Sequence, residues 1–225
     1  MTAYYNEHDP YAAAWLRNLI AAGLIAPGHV DDRSIEEVHA DDLRGFTQCH
    51  FFAGIGGWSF ALRLAGWDDA RPVWTGSCPC QPFSEAGERK GFEDERHLWP
   101  MWFDLVRQCR PPIMFGEQVP EAIKLAWFDA VANDLEGEGY AVGAAVLSGC
   151  LVEARQERER LWFVACANGK PVERLAEPRR QFDSWPTEYP FPRVAHGIPH
   201  QRNFVRAFGN SIIPQVAAQF IRASQ

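Results

Sequence analysis

The chain has 225 residues, of which 47% are hydrophobic and 23% are charged, and its formal net charge is −7. This length and composition are typical of one globular domain, and they exclude a disordered, collagen-like or coiled-coil chain. No apolar run approaches the length of a membrane span. The acidic balance argues against binding polyanions by bulk charge, although a local basic face is compatible with it.

Six scattered cysteines and an N-terminus without an apolar stretch favour a reduced, cytoplasmic protein without a signal peptide. Cys78 and Cys80 form a close pair around Pro79, but a zinc site would normally need a second pair of ligands. We therefore expect no metal site and no contact with a membrane.

Short apolar runs alternate with helical stretches, a pattern typical of a mostly parallel sheet flanked by helices. Strands are predicted, in chain order, at Ala3–Asn6, His50–Ala53, Pro72–Thr75, Pro112–Phe115, Tyr140–Leu147 and Leu161–Ala165. Helices are predicted at Tyr11–Ala22, Trp58–Leu64, Leu98–Gln108, Ala122–Leu135 and Val216–Ala223. A capping box of Ser34 and Glu37 predicts a further short helix, and residues 168–203 are predicted to be loop.

A glycine-rich turn, Gly54–Gly57, follows the second predicted strand. Such a turn lets the backbone approach a ligand closely. Ser59 takes the place of the third glycine of the dinucleotide fingerprint, and no Gly-Lys-Ser/Thr follows, so a nicotinamide cofactor and a P-loop are disfavoured. Taken alone, the turn is equally compatible with a tight connection that binds nothing.

A second turn places Cys80 and Gln81 between two prolines. The prolines fix the backbone and hold one thiol in place, which suits a nucleophile better than a core cysteine. A zinc deaminase is excluded because position 83 is Phe and no His-x-Glu occurs in the sequence.

Five motifs, in order, resemble those of the cytosine-C5 DNA methyltransferases. Phe52–Gly57 and Pro79–Ser84 resemble the first and fourth motifs, and Phe115–Val119 resembles the Glu-Asn-Val motif with Gln118 in place of Asn. The remaining two are Gln156–Arg160, which matches Gln-x-Arg-x-Arg, and Gly209–Pro214, which matches Gly-Asn-x-x-x-Pro. The resemblance implies a class I S-adenosylmethionine-dependent methyltransferase of Rossmann-like α/β fold. It also implies methylation of cytosine C5 through a covalent Cys–C6 intermediate and a flipped-out base.

The resemblance assigns Cys80 as the nucleophile and Cys78 to the variable position before the proline. Glu117 would act on N3 of the base, and Arg158 and Arg160 would steady the ring oxygen, the thiolate side or a phosphate. A Glu satisfied within the core and an Arg pair on a surface are the alternatives. Gln81 and Ser84 are placed to touch the space that the base leaves, or the DNA backbone.

The order of the motifs departs from the family pattern. Only 19 residues lie between Gly57 and Ser77, where the family has its second and third motifs. Tyr5–Ala12 resembles the second motif, and Pro27–Asp31 resembles the third with His29 where Asp is usual. We therefore predict that this block has moved ahead of the first motif, so that strand order is permuted and Glu7 lies beside the glycine turn. An unrelated N-terminal extension with a truncated cofactor pocket is the alternative.

With that block in place, the resemblance implies an S-adenosylmethionine site drawn from four parts of the chain. Glu7 would accept the ribose hydroxyls, His8 would stack on the adenine, and Asp31 is the nearest substitute for the missing Asp. The other expected cofactor residues are Phe52, Gly54, Ile55, Gly57, Pro79, Asn210 and Ser211.

The region between the last two motifs is short, which implies a reduced target-recognition region at residues 168–203 beside a catalytic domain formed by residues 1–167 and 204–225. Its interleaved basic and aromatic residues suit phosphate contacts and base stacking, with Arg179, Arg180 and Arg202 the expected contacts; a solvated loop is the alternative. Double-stranded DNA is the expected substrate of a monomeric enzyme. RNA methylation, a catalytically inactive DNA-binding relative, and use of the glycine turn for another nucleotide are the competing hypotheses.

Overall fold

The computed structural model describes residues 2–79, 98–124, 126–152, 158–167 and 211–225. In these ranges the strands are β1 (Ala3–Asn6), β2 (Gly28–Asp31), β3 (Gln48–Phe51), β4 (Val73–Gly76), β5 (Ile113–Gln118), β6 (Ala141–Ser148) and β7 (Glu159–Cys166). The helices are α1 (Pro10–Ala21), α2 (Gly57–Leu64), α3 (Trp99–Cys109), α4 (Glu121–Lys124), α5 (Trp127–Gly137) and α6 (Pro214–Ala223). Short 3₁₀ helices lie at Ile35–Glu37, Ala40–Leu43 and Gly149–Val152.

The strands form one seven-stranded sheet in the order β2-β1-β3-β4-β5-β7-β6. The first five of these run parallel, β7 is antiparallel to β5, and β6 is antiparallel to β7. This is the mostly parallel α/β fold that the sequence predicts, and the predicted neighbours β1 and β3 are indeed paired, with Asn6 opposite Phe51. The N-terminal block is therefore part of the central sheet.

Hydrophobic cores cover both faces of the sheet, as parallel strands require. Alternate residues of a strand point to opposite faces, so Tyr4 packs in one core and Tyr5 in the other. One face is covered by α3 and α5 through Trp102 and Val131. The other is covered by α1, α2 and α6, whose core residues include Leu16, Trp58 and Phe220.

Several elements differ from the sequence-based prediction. β2 was not among the predicted strands, and β3 ends at Phe51, two residues before the predicted end at Ala53. The helix expected over Ala122–Leu135 is divided into α4 and α5, because Ala126 adopts a left-handed conformation (φ 57°) directly before the buried Trp127. Strand β5 extends three residues beyond Phe115 because its ladder with β7 continues to Gln118. Gly116 makes this ladder possible, since a Cβ there would lie 2.0 Å from the ring of Phe163.

None of the helices in the described ranges has the length and apolar content needed to cross a membrane.

Candidate functional site

The carboxyl ends of four neighbouring parallel strands meet at one edge of the sheet, where open α/β sheets bind their ligands. Glu7 follows β1, the glycine turn follows β3, Ser77 follows β4, and Glu117 lies near the end of β5. The site therefore combines residues that are distant in sequence on one rigid frame.

The glycine turn takes a shape that few side chains would allow. Phe52, Gly54 and Gly56 all have positive φ angles, of 50°, 54° and 81°. Gly56 ends the turn in a left-handed conformation at the N-cap of α2, and a Cβ there would lie 3.2–3.3 Å from side chains of α1 and the following loop. Phe52, Gly54, Ile55 and Gly57 are all partly exposed, so this turn presents backbone and two side chains at the site.

Glu7 contacts the glycine turn directly. Its carboxylate accepts a hydrogen bond from the backbone N–H of Gly54 at 2.7 Å, across 47 positions of sequence, and another from the N–H of Asp9 at 2.8 Å. Asp9 in turn caps α1 by accepting from the N–H groups of Tyr11 and Ala12. Burial raises the pKa of Glu7, and the two backbone donors oppose that rise. The predicted placement of Glu7 beside the turn is confirmed.

The other two cofactor residues expected from the N-terminal block have different surroundings. His8 is exposed, with Nδ1 3.3 Å from the carbonyl oxygen of Asp32. Asp31 is buried, and its carboxylate accepts hydrogen bonds from the Tyr4 hydroxyl at 2.7 Å and from the Arg33 guanidinium at 2.6 Å. These partners outweigh the effect of burial and lower the pKa of Asp31 to about 2. Asp31 therefore anchors the loop after β2, and its contact with an adenine stays a prediction.

Glu117 lies almost fully buried at the carboxyl end of β5, with 7% of its surface exposed. Its Oε1 lies 2.8 Å from Nε of Arg160, which stands on β7 two residues before Trp162, the ladder partner of Glu117. Burial raises the pKa of Glu117, while Arg160, the Ser77 hydroxyl and Arg158 lower it. The three predicted catalytic residues that the structure describes thus form one cluster.

Arg158 brings a second cation to that cluster. Burial and the neighbouring Arg160 lower its pKa, whereas Glu117 raises it. Within the described part of the chain its Nε is buried without a hydrogen-bond partner. An unpartnered buried donor is costly, so the cluster has capacity for an oxygen ligand.

Two polar contacts of Ser77 and Cys78, which precede Cys80 in the chain, were not predicted. Ser77 Oγ accepts a hydrogen bond from the indole N–H of Trp58 at 3.1 Å and also bonds Glu117. Gln118 donates from Nε2 to the carbonyl of Cys78 at 3.2 Å. For the Gln118 contact, the sequence offered one signal, which is that Gln replaces the usual Asn at position 118. For the contact between Trp58 and Ser77, the sequence offered none. Cys78 itself is buried, consistent with a core position.

The C-terminal segment packs against the glycine turn. A Cβ on Gly57 would lie 2.8 Å from Cγ1 of Ile212, so the glycine allows this close approach. Arg222 of α6 donates to the carbonyl of Leu64 at the end of α2. Ser211 and Pro79, both expected at the cofactor, are partly exposed.

Several predicted site residues lie outside the described residues. They are Cys80, Gln81, Ser84, Arg179, Arg180, Arg202 and Asn210. The division into a catalytic domain and a recognition region at 168–203 also depends on residues outside the described ranges, so it stays a prediction.

Comparison with known proteins gives one consistent family. Residues 71–191 match the C-5 cytosine-specific DNA methylase family. The chain is 26% identical over 181 residues to the type II methyltransferase M.AplI of Arthrospira platensis, covering 63% of this chain and 52% of that protein. It is also 26% identical over 184 residues to the type II methyltransferase M.HhaI of Haemophilus parahaemolyticus, covering 64% of this chain and 56% of that protein. The chain thus spans about half the length of these relatives.

The fold has a counterpart among solved structures. The Entamoeba histolytica methyltransferase EhMeth superposes with a TM-score of 0.51 at 15% identity, over 82% of this chain and 58% of that one. At this identity the likeness concerns the fold, which is that of a Rossmann-like class I methyltransferase. The match over residues 71–191, which is more than half of the chain, shows that the chain belongs to the C-5 cytosine-specific DNA methylase family.

Proposed function

We propose that this protein methylates C5 of cytosine in DNA, with S-adenosylmethionine as the methyl donor. The observation that carries the proposal is the meeting of two groups at one sheet edge. The Glu7–Gly54 contact forms one of them, and the Glu117–Arg160 pair, beside the loop that leads to Cys80, forms the other.

The residues at the glycine turn fit the cofactor. Each oxygen of the Glu7 carboxylate accepts one backbone N–H, which leaves each oxygen capacity for one more donor, such as a ribose hydroxyl. The partly exposed turn allows a ligand to approach its backbone closely. His8, Pro79, Ser211 and Asn210 would complete the site. When bound, S-adenosylmethionine supplies an electrophilic methyl group.

Cys80 provides covalent activation of the cytosine. Its thiolate adds to C6, and the electron pair of the C5–C6 double bond moves into the ring, so that C5 becomes enamine-like and nucleophilic. Once C5 carries the new methyl group, loss of the C5 proton to a base restores the double bond as the Cys80 thiolate leaves. Cys78 is buried in the core and is not expected to take this role.

Glu117 controls the charge that develops at N3 of the base. Its raised pKa favours a protonated or proton-sharing carboxyl, which can donate to N3 when the ring becomes electron-rich. Arg160 holds this carboxyl in position, and the unpartnered Nε of Arg158 suits the ring oxygen or a phosphate.

DNA is the favoured substrate because the family is defined as a DNA methylase and both relatives above are type II methyltransferases. C6 is inaccessible in a duplex, so the cytosine must be flipped out at a cost of a few kcal/mol. Gln81, Ser84, Arg179, Arg180 and Arg202 are the proposed nucleic-acid contacts. The short region at 168–203 favours a brief or loosely defined target sequence.

Transfer of a labelled methyl group to duplex DNA and to tRNA, measured side by side, tests this function. We expect label in 5-methylcytosine of DNA, loss of turnover in Cys80→Ser, and retained turnover in Cys78→Ser. A duplex containing 5-fluorocytosine should become cross-linked to Cys80. Transfer to tRNA alone, or a cross-link at Cys78, would contradict the assignment.

A further inference from the structure

Ser77 and Glu117 occupy equivalent places on two neighbouring strands. Gly76 of β4 is paired with Gly116 of β5 in a parallel ladder, and Ser77 and Glu117 are the next residues along each strand. The two side chains are therefore neighbours, and as a hydrogen-bond donor the Ser77 hydroxyl lowers the pKa of Glu117. Register alone therefore brings a small hydroxyl against the acid that the proposed mechanism uses.

Trp58 determines which way the Ser77 hydroxyl points. The indole N–H can only donate, and it donates to Ser77 Oγ at 3.1 Å. When Glu117 is ionised its carboxylate can only accept, so in that state the hydroxyl proton is directed to Glu117. The result is a one-way chain of hydrogen bonds from Trp58 through Ser77 to Glu117.

The Trp58 ring is buried and packed against two aromatic rings, which fixes the direction of its N–H. It is 3% exposed, with its ring centroid 5.5 Å from that of Trp162 and 6.3 Å from that of Phe115. Both neighbours lie on the strands that carry the Glu117–Arg160 pair. The orientation of the indole is therefore set by the same sheet that positions the acid.

The charged groups that face Glu117 in the described ranges come from the β7 side. They are Arg160, bonded at 2.8 Å, and Arg158. From β4 and α2 the approaching groups are the neutral hydroxyl of Ser77 and the indole behind it. Glu117 is thus held by a cation from one strand and by a neutral donor from the other.

We propose that Ser77, oriented by Trp58, is a positioning residue that fixes the Glu117 carboxyl and stabilises its charged form. The inference rests on the proposed function for its catalytic meaning, although the hydrogen-bond chain can be tested without substrate. Removal of the hydroxyl takes a donor from the carboxylate, so the pKa of Glu117 should rise. Turnover should fall about tenfold, the scale of one hydrogen bond, because the carboxyl is no longer fixed.

The test compares four variants by infrared titration of the carboxylic-acid band of Glu117, assigned as the band that Glu117→Gln lacks. Ser77→Ala and Trp58→Phe should both raise the pKa of Glu117, whereas Ser77→Thr, which keeps the hydroxyl, should titrate like the wild type. Trp67→Phe is the matched control, because Trp67 is equally buried, also packs on Phe115, and loses an indole bond to the Arg71 carbonyl instead.

A shift in Ser77→Ala and Trp58→Phe alone supports the proposal. An unchanged titration in Ser77→Ala, or an equal shift in Trp67→Phe, would overturn it. The titration needs neither DNA nor cofactor, so it can be interpreted even if the wild type shows no methyl transfer. Such a failure would count against the proposed function and not against the role of Ser77. Where turnover is measurable, its alkaline limb should move to higher pH in Ser77→Ala, since the protonated acid then persists further.

Discussion

Glu117, the proposed acid, shows how the fold accommodates a buried carboxyl group. It is buried to 7% exposure beside Arg160, and a lone buried carboxylate would be very costly. Arg160 and the Ser77 hydroxyl offset part of this cost, and burial still raises the pKa of Glu117. Together they keep an acid at the sheet edge in a form that can share a proton.

Glu117→Gln should lower kcat of methyl transfer on the order of 10² or more. The amide keeps the shape of the side chain but cannot share a proton with N3, and it loses the charge that pairs with Arg160. DNA binding, measured by fluorescence anisotropy, should be retained. Turnover close to that of the wild type would remove Glu117 from the mechanism.

Asp31 provides the clearest stability prediction at the residue scale. Its pKa of about 2 lies below the usual value for Asp, so the stabilisation it gives is complete above pH about 4 and is lost as pH falls towards 2. Asp31→Asn should lower the free energy of unfolding at pH 7 by about 1–2 kcal/mol, a figure that allows for the 42% exposure of the Arg33 side chain.

Urea unfolding at pH 7 and at several lower pH values measures this effect. The difference between Asp31→Asn and the wild type should shrink from pH 4 to pH 2. Asp41→Asn is the control, because its ion pair with Arg44 is exposed and should contribute little. A constant difference across this range would show that Asp31 does not act through its charge.

Among the secondary-structure elements, β1 is an interior strand of the sheet on which its neighbours depend. It pairs with β2 on one side and β3 on the other, and all four of its residues are buried. The loop before β3 is tied to the same block, because Thr47 and Gln48 both donate to the carbonyl of Thr2. The glycine turn therefore depends on strands that precede it in sequence.

Deletion of residues 1–45 should abolish folding or cofactor binding. It would remove two strands and α1, expose the edge of β3, and uncover core residues such as Phe51 that pack against Tyr4. Circular dichroism with thermal unfolding would show the loss of the cooperative transition. A truncated chain that still methylates cytosine would contradict the assignment of this block.

The sequence predicts most elements of this fold, and the exceptions have physical causes. Apolar periodicity locates the helices and, apart from β2, the strands within a few residues, and motif order places β1 beside β3. The end of β5 was missed because glycine and glutamate are poor strand residues. Pairing with β7, and at Gly116 also with β4, holds residues 116–118 in the strand. The break at Ala126 and the Trp58–Ser77 bond depend on neighbours distant in sequence, which local patterns do not report.

At the scale of the whole molecule, the permuted order leaves the sheet edge intact. The neighbouring parallel strands β1, β3, β4 and β5 carry Glu7, the glycine turn, Ser77 and Glu117 side by side, whatever the order of their connections. The chain is acidic overall, with a net charge of −7, so we expect the proposed DNA contacts to come from local basic residues such as Arg179, Arg180 and Arg202. The proposed function therefore depends on whether the displaced N-terminal block completes the cofactor site.

Calorimetric titration of the full chain with S-adenosylmethionine tests that claim most directly. Glu7→Ala should weaken binding by roughly 1.5–3 kcal/mol, or about 10- to 150-fold, because the ribose hydroxyls lose a charged acceptor. Glu136→Ala, an exposed glutamate on α5, is the matched control and should bind like the wild type, and thermal unfolding confirms that each variant is folded. Equal affinity of folded Glu7→Ala and wild type would contradict the account.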